Sequence, residues 1–176
     1  DVTVRVKSVT GELSPGVSVS WTILARGNRT STAGFDPRGL VFDGDKIWTT
    51  CYQGDNMQRI ERILGEVETT AATGDRPYGI AYSAATSTYG DLWIANFGGD
   101  SVSRYVLDVY GDVSLVTTIA LTAGDGPLGL WWDETQLWIR CYTSGKVRRI
   151  EPLTNTVKAP EVVVGAVRAA EQVVGA

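Results

Sequence analysis

Three stretches of the chain are one motif written three times: "KIWTTCYQGDNMQRI" at 46–60, "DLWIANFGGDSVSRY" at 91–105 and "QLWIRCYTSGKVRRI" at 136–150. Their tryptophans, Trp48, Trp93 and Trp138, are spaced by 45 and 45 residues. Each copy reads as a short apolar strand, a turn rich in Gly, Asp and Ser, and a second alternating strand. A unit of that size cannot bury its own apolar faces. A fixed period of about 20–50 residues therefore restricts the chain to folds in which neighbouring units supply each other's core.

The segments before each Trp strand repeat as well: "AGFDPRGLVFDG" at 33–44, "TGDRPYGIAYSA" at 73–84 and "AGDGPLGLWWDE" at 123–134. They share Gly, two residues, Pro, any residue, Gly, then Leu or Ile. Proline fixes φ, and the glycine permits either a positive φ or a close backbone approach, as a sharp entry into a strand requires. From Pro to Trp the distance is 11, 16 and 11 residues, so the middle copy carries a longer hairpin loop around "AATSTYG", 84–90. Downstream come "NMQRIER", "SVSRYVLD" or "KVRRIEP", and then a more variable strand such as "VSLVTTIAL". Four strands per repeat without a helical period predict an all-β chain of three four-stranded β-propeller-type blades over about residues 34–165. The three tryptophans are expected on equivalent strands, buried between blades, with no long helix before residue 160.

The pattern P-x-G-[LI], [LI]-W-[IT], a Gly turn and V-x-R-[IY] resembles blades of the virginiamycin B lyase-like, YVTN and NHL group of propellers. The resemblance implies a fold. The lyase chemistry of that group relies on histidine, which this chain lacks altogether, so no catalytic residue carries over. Related lactonases need a convergent carboxylate and Asn cluster that the sequence does not assemble. Residues 1–33, with "VTVRVKSVTGELSPGVSVSWTI", are similar to the opening of bacterial Ig-like repeats and are expected to form an Ig-like or accessory strand pair. Residues 166–176 read as a tail or an incomplete fourth blade, because no Pro-x-Gly entry follows residue 160.

A propeller closes with roughly four to eight blades. Three leave open sheet edges and bare faces, which chains normally cover. A protein partner or self-association completing the ring is expected, and a dimer of six blades is the simplest closed form.

Composition narrows the function. The 176 residues carry a formal net charge of −4, with a pI near 4.8, which offers no basic surface for nucleic acid. Apolar stretches are broken by Arg168 and Glu171 well short of a membrane span. Cys51 and Cys141 occupy equivalent positions two repeats apart, too far for a disulfide, and are expected to stay reduced. Without histidine there is no usual zinc site and no Ser–His or Cys–His pair. "GDG" at 124–126 precedes no helix and cannot be a phosphate loop, and the "NRT" sequon at 28–30 decides nothing. No cofactor and no metal are expected, and the chain is read as a non-enzyme.

The binding candidates are Arg59, Arg104, Arg149, Trp131, Trp132 and Tyr89. The three arginines share one repeat position, and a ring of guanidinium groups could hold an anion. Alternatively each pairs with a blade carboxylate such as Asp43, Asp91 or Asp133 and docks adjacent blades. Of Trp131 and Trp132, one belongs in the core and one at an interface, where it could stack on a sugar or anchor a protein. Tyr89 sits on the longest loop. Asp43, Asp45, Asp133 and Glu134 lie at turns, where Asp normally satisfies its own backbone. The expected role is a structural or binding module, extracellular or on a virus particle such as a phage capsid or tail, contacting protein or glycan. A lyase- or lactonase-like enzyme and an intracellular scaffold are the alternatives.

Overall fold

A computed structural model describes residues 36–63 and 65–163; the expectations for residues 1–33 and 166–176 lie outside them. Among the described residues all twelve elements are strands: β1 Pro37–Phe42, β2 Ile47–Cys51, β3 Asn56–Ile60, β4 Val67–Ala72, β5 Pro77–Ser83, β6 Asp91–Asn96, β7 Ser101–Leu107, β8 Val113–Ala120, β9 Pro127–Trp132, β10 Leu137–Cys141, β11 Lys146–Glu151 and β12 Thr156–Val163. They form three four-stranded antiparallel meanders, β1–β4, β5–β8 and β9–β12, each in sequence order. The first strands of successive sheets, β1, β5 and β9, lie against one another, so they line the common axis and the sheets radiate from it as blades. The last strand of the third blade runs Thr156–Val163.

Strand alternation gives each blade two apolar faces. One carries Val41, Trp48, Met57 and Ala71 in the first blade, and Ala81, Trp93, Val102 and Ile119 in the second. The opposite face carries Ile80, Tyr82, Leu92, Ile94 and Tyr105 in the second blade, and Leu130, Trp132, Leu137, Ile139 and Ile150 in the third. The Trp-bearing face of each blade packs on the opposite face of the next, which makes two cores at two joints. Trp48 and Trp93 are fully buried there, whereas Trp138, whose face meets no further blade, is half-buried.

The Pro-x-Gly entry works by close approach. Gly39 and Gly79 do not have positive φ. A Cβ on Gly39 would lie 2.5 Å from the Tyr78 carbonyl oxygen, and one on Gly79 would lie 2.5 Å from that of Leu128. Only glycine lets consecutive inner strands come this near. The left-handed residue is instead the one before proline: Asp36, Arg76 and Gly126, with φ of 65°, 51° and 56°.

Polar groups tie the joints at both rims. Asp55 Oδ1 accepts from the Arg76 N–H at 2.8 Å, and Asp100 accepts from the N–H groups of Gly126 and Gly124 at 2.7 and 2.8 Å. At the far rim Arg59 donates to the carbonyls of Tyr110 and Gly111, and Arg104 donates to the Pro152 carbonyl at 2.8 Å. The arginine position therefore docks each blade onto the next.

Two carboxylates make stability depend on acid pH. Burial works against the charge of Asp125, but bonds from Arg148 and the Thr122 N–H outweigh it and hold the group below the usual carboxylate range. Asp133 is held low by the Trp138 indole, by Thr135 and by its own turn N–H groups. A pKa depressed by folding contributes stability above the unfolded value, near 3.9, and that contribution is lost as pH falls through the folded value. Urea midpoints are expected to fall steadily below about pH 4, and Asp125→Asn should flatten that slope. An equal slope in the variant would show that the pairing contributes nothing.

Candidate functional site

Each inner strand begins, and each second strand ends, at the same rim: Pro37 pairs with Cys51, Pro77 with Asn96 and Pro127 with Cys141. Because the inner strands line the axis, the residues just inside these points surround its mouth. Two repeat positions meet there. The middle residue of Pro-x-Gly is Arg38, Tyr78 or Leu128, and the residue following the second strand is Tyr52, Phe97 or Tyr142.

Across the first joint these positions converge. The rings of Tyr52 and Tyr78 meet edge to face, 6.0 Å apart at 83°, and Phe97 lies 6.4 Å from Tyr52 and 6.5 Å from Tyr78. The Arg38 guanidinium sits 5.2 Å from the centre of the Tyr52 ring and 5.4 Å from that of Tyr78. Its charge is answered at 2.6 Å by Asp36, the left-handed residue before Pro37. Arg140 stands 6.0 Å from the exposed Tyr142 ring at the other end of the arc. Such a set offers aromatic faces to the flat or C–H-rich side of a ring compound, and a forked donor to a carbonyl, carboxylate or phosphate oxygen. Asp36 and the exposed Asp75 add carboxylates at the same rim.

None of the six residues expected to bind takes part in this cluster; Arg59 and Tyr89 line one groove at the far rim, and Arg104, Arg149, Trp131 and Trp132 do not line it. Arg59, Arg104 and Arg149 lie over the rings of Trp48, Trp93 and Trp138 at 5.8, 5.1 and 5.4 Å, each on its own blade. Arg104 pairs with Asp91 at 3.1 Å, but Arg59 pairs with Glu68 at 3.1 Å. Asp43 and Asp133 instead accept the indole N–H groups of Trp48 and Trp138 and close their own hairpin turns. Trp132 packs against the core of the second joint, and Trp131 stands 66% exposed on the open face of the third blade. Tyr89 is half exposed beside a groove of about 370 Å³ at the far rim. Both cations of that groove pair with Glu68, Lys46 at 3.0 Å and Arg59 at 3.1 Å.

Cys51 and Cys141 are buried and not joined in a disulfide, and burial pushes the Cys141 thiol up to about 11. Among the described residues no group of three or more carboxylates and thiols is placed to hold a metal ion. The mouth residues carry one signal in the sequence. Tyr52, Phe97 and Tyr142 are an aromatic position recurring every 45 residues. That Arg38 would join them follows only from the packing of one inner strand on the next.

No family model and no curated protein matches the sequence. Solved structures do match the fold. Virginiamycin B lyase from Staphylococcus aureus superposes with a TM-score of 0.55 at 15% identity, over 72% of this chain and 40% of its own. A putative 6-phosphogluconolactonase from Bacteroides uniformis gives 0.59 at 17% identity, over 74% and 43%. A periplasmic gluconolactonase from Pseudomonas aeruginosa gives 0.55 at 19% identity, over 73% and 40%. The chain therefore has the propeller fold and spans less than half the length of these structures.

These matches correct the expectation that the chain is not an enzyme. A lyase and gluconolactonases share its scaffold. The absence of histidine removes certain bases only, since carboxylates, tyrosines and guanidinium groups also move protons and stabilise oxyanions. The virion and cell-surface expectations find no support in the matches.

Proposed function

We propose that these blades carry part of the active-site mouth of a propeller enzyme acting on a small ring-shaped ester of the lactone class. The observation that carries this is the Arg38, Tyr52, Tyr78 and Phe97 cluster at the axis. Support comes from the matched scaffolds, which include two gluconolactonases by name. In this reading the aromatic rings stack the substrate ring, and Arg38 turns from Asp36 to the ester carbonyl. Water adds to the carbonyl carbon, and Arg38 stabilises the resulting oxyanion. Asp36, released from its pair, takes the proton of the attacking water. The ring C–O bond then breaks, and the departing oxygen takes up that proton to give the hydroxy acid.

The test is hydrolysis of δ-gluconolactone and its 6-phosphate by the purified chain, followed by proton release. Arg38→Met should lower kcat/KM by about 10²–10³-fold, the usual effect of losing an oxyanion donor. Tyr78→Ala should mainly raise KM. Arg38 is an exposed side chain, so its loss leaves folding intact. Turnover no faster than the spontaneous reaction, together with no ligand-induced shift in melting temperature, would overturn the assignment.

A further inference from the structure

The two joints define what a blade face needs, and among the described residues one face of each kind is left uncovered. The third blade presents Trp131, Trp138, Val147 and Val162, the register equivalents of Ala81, Trp93, Val102 and Ile119 in the buried second joint. Trp131 is 66% exposed and Val162 47%. The first blade presents Leu40, Phe42, Ile47, Ile60 and Val67, the equivalents of Leu130, Trp132, Leu137, Ile150 and Val157. Leu40 is 71% exposed and Phe42 49%. One surface is the donor half of a joint and the other the acceptor half.

Two further details repeat the pattern. Gly39 and Gly79 are each filled by the next inner strand's carbonyl, while Gly129 meets only the side chain of Arg140. Arg59 and Arg104 reach into the turn between the third and fourth strands of the next blade. Arg149, stacked on Trp138 in the same way, reaches among the described residues the Pro160 carbonyl of its own blade at 3.5 Å.

We infer that a second copy of this chain closes the ring, the third blade of each copy packing head to tail on the first blade of the other. The three blades of the described residues, taken twice, make six, within the four to eight that close. The interface is heterologous but satisfies a twofold axis along the channel, so each joint occurs twice. Closure brings Arg140 and Tyr142 of one copy beside Arg38 and Tyr52 of the other, completing the axial mouth from both chains. The closing joint lacks one tie, because Gly145 stands where Asp55 and Asp100 hold the other two joints. It is therefore the joint that opens first on dilution.

Light scattering and sedimentation of the whole chain should give twice its 19.0 kDa mass. Trp131→Glu and Leu40→Glu should each reduce this to the single mass. Both positions are exposed in the separate chain, so the strand signature in circular dichroism should persist. Mixing the two variants should restore dimers, since one of the two joints is then unaltered. A monomeric wild-type chain at high concentration overturns the inference, as does a dimer broken by only one variant, which would mean a like-to-like contact. These readouts are masses and do not depend on catalysis, so they stand apart from the hydrolysis test.

Discussion

Trp93→Ala should cost about 3–5 kcal/mol, the usual range for truncating a large buried aromatic, and Trp138→Ala in the dissociated chain only about 1 kcal/mol, as for a side chain that keeps part of its water. Trp93 is fully buried in the core of the second joint, beside Ala81, Val102, Leu137 and Ile139. Its indole N–H donates to Ser83 Oγ at 3.1 Å, and the Arg104 guanidinium lies 5.1 Å from its ring centre. Alanine would leave a cavity at the joint, a buried hydroxyl without its donor and a guanidinium without its aromatic support. Trp138 has the same sequence context and the same stacked arginine, but its face is half open. Urea unfolding of the two variants at low protein concentration compares them directly. Equal costs there would mean that the 45-residue equivalence, and not burial in a joint, determines what these tryptophans contribute. In the assembled dimer the cost of Trp138→Ala should rise toward that of Trp93→Ala.

Arg104→Met should cost a further large amount, about 3–5 kcal/mol, because it leaves a buried charge unpaired. Asp91 is fully buried, and Arg104 answers it at 3.1 Å. The same guanidinium donates to the Pro152 carbonyl at 2.8 Å and to Asn155 Oδ1 at 2.9 Å, so its loss also unties the far rim of the second joint. Removing both charges with Asp91→Asn and Arg104→Met should recover more than half of the penalty, since the uncompensated carboxylate is then gone. Chemical denaturation of the two single variants and the double variant forms the cycle. Strict additivity would show that the ion pair carries no coupling and that Arg104 acts through its carbonyl contacts alone.

The fold was legible because its signals are local and periodic. Strand alternation, the Pro-x-Gly entry and the 45-residue spacing of Trp48, Trp93 and Trp138 each reflect what one blade must do to pack on another, and they recur with each blade. The docking role of Arg59 and Arg104 was within reach for the same reason, and so was Asp91 as the partner of Arg104, but not the partner of Arg59. Arg59 takes Glu68 and the turn carbonyls of the next blade, while Asp43 is occupied by an indole. A carboxylate at a hairpin turn can serve its own backbone, a tryptophan or an arginine, and the sequence of the turn does not rank these choices.

The candidate site was not legible. Arg38 and Tyr78 share a repeat position but lie 40 residues apart in the chain, and they meet because Gly39 lets one inner strand close on the next. The sequence by itself determined the all-β class, the four-stranded repeat and the equivalence of the three tryptophan strands, since these follow from side-chain alternation and turn chemistry within about 45 residues. The tertiary structure alone decided which aromatic rings gather at the axis, and which tryptophan is sealed while its repeat partner stays half open. Those outcomes depend on what the next blade brings across the joint, and a blade's own residues do not encode its neighbour.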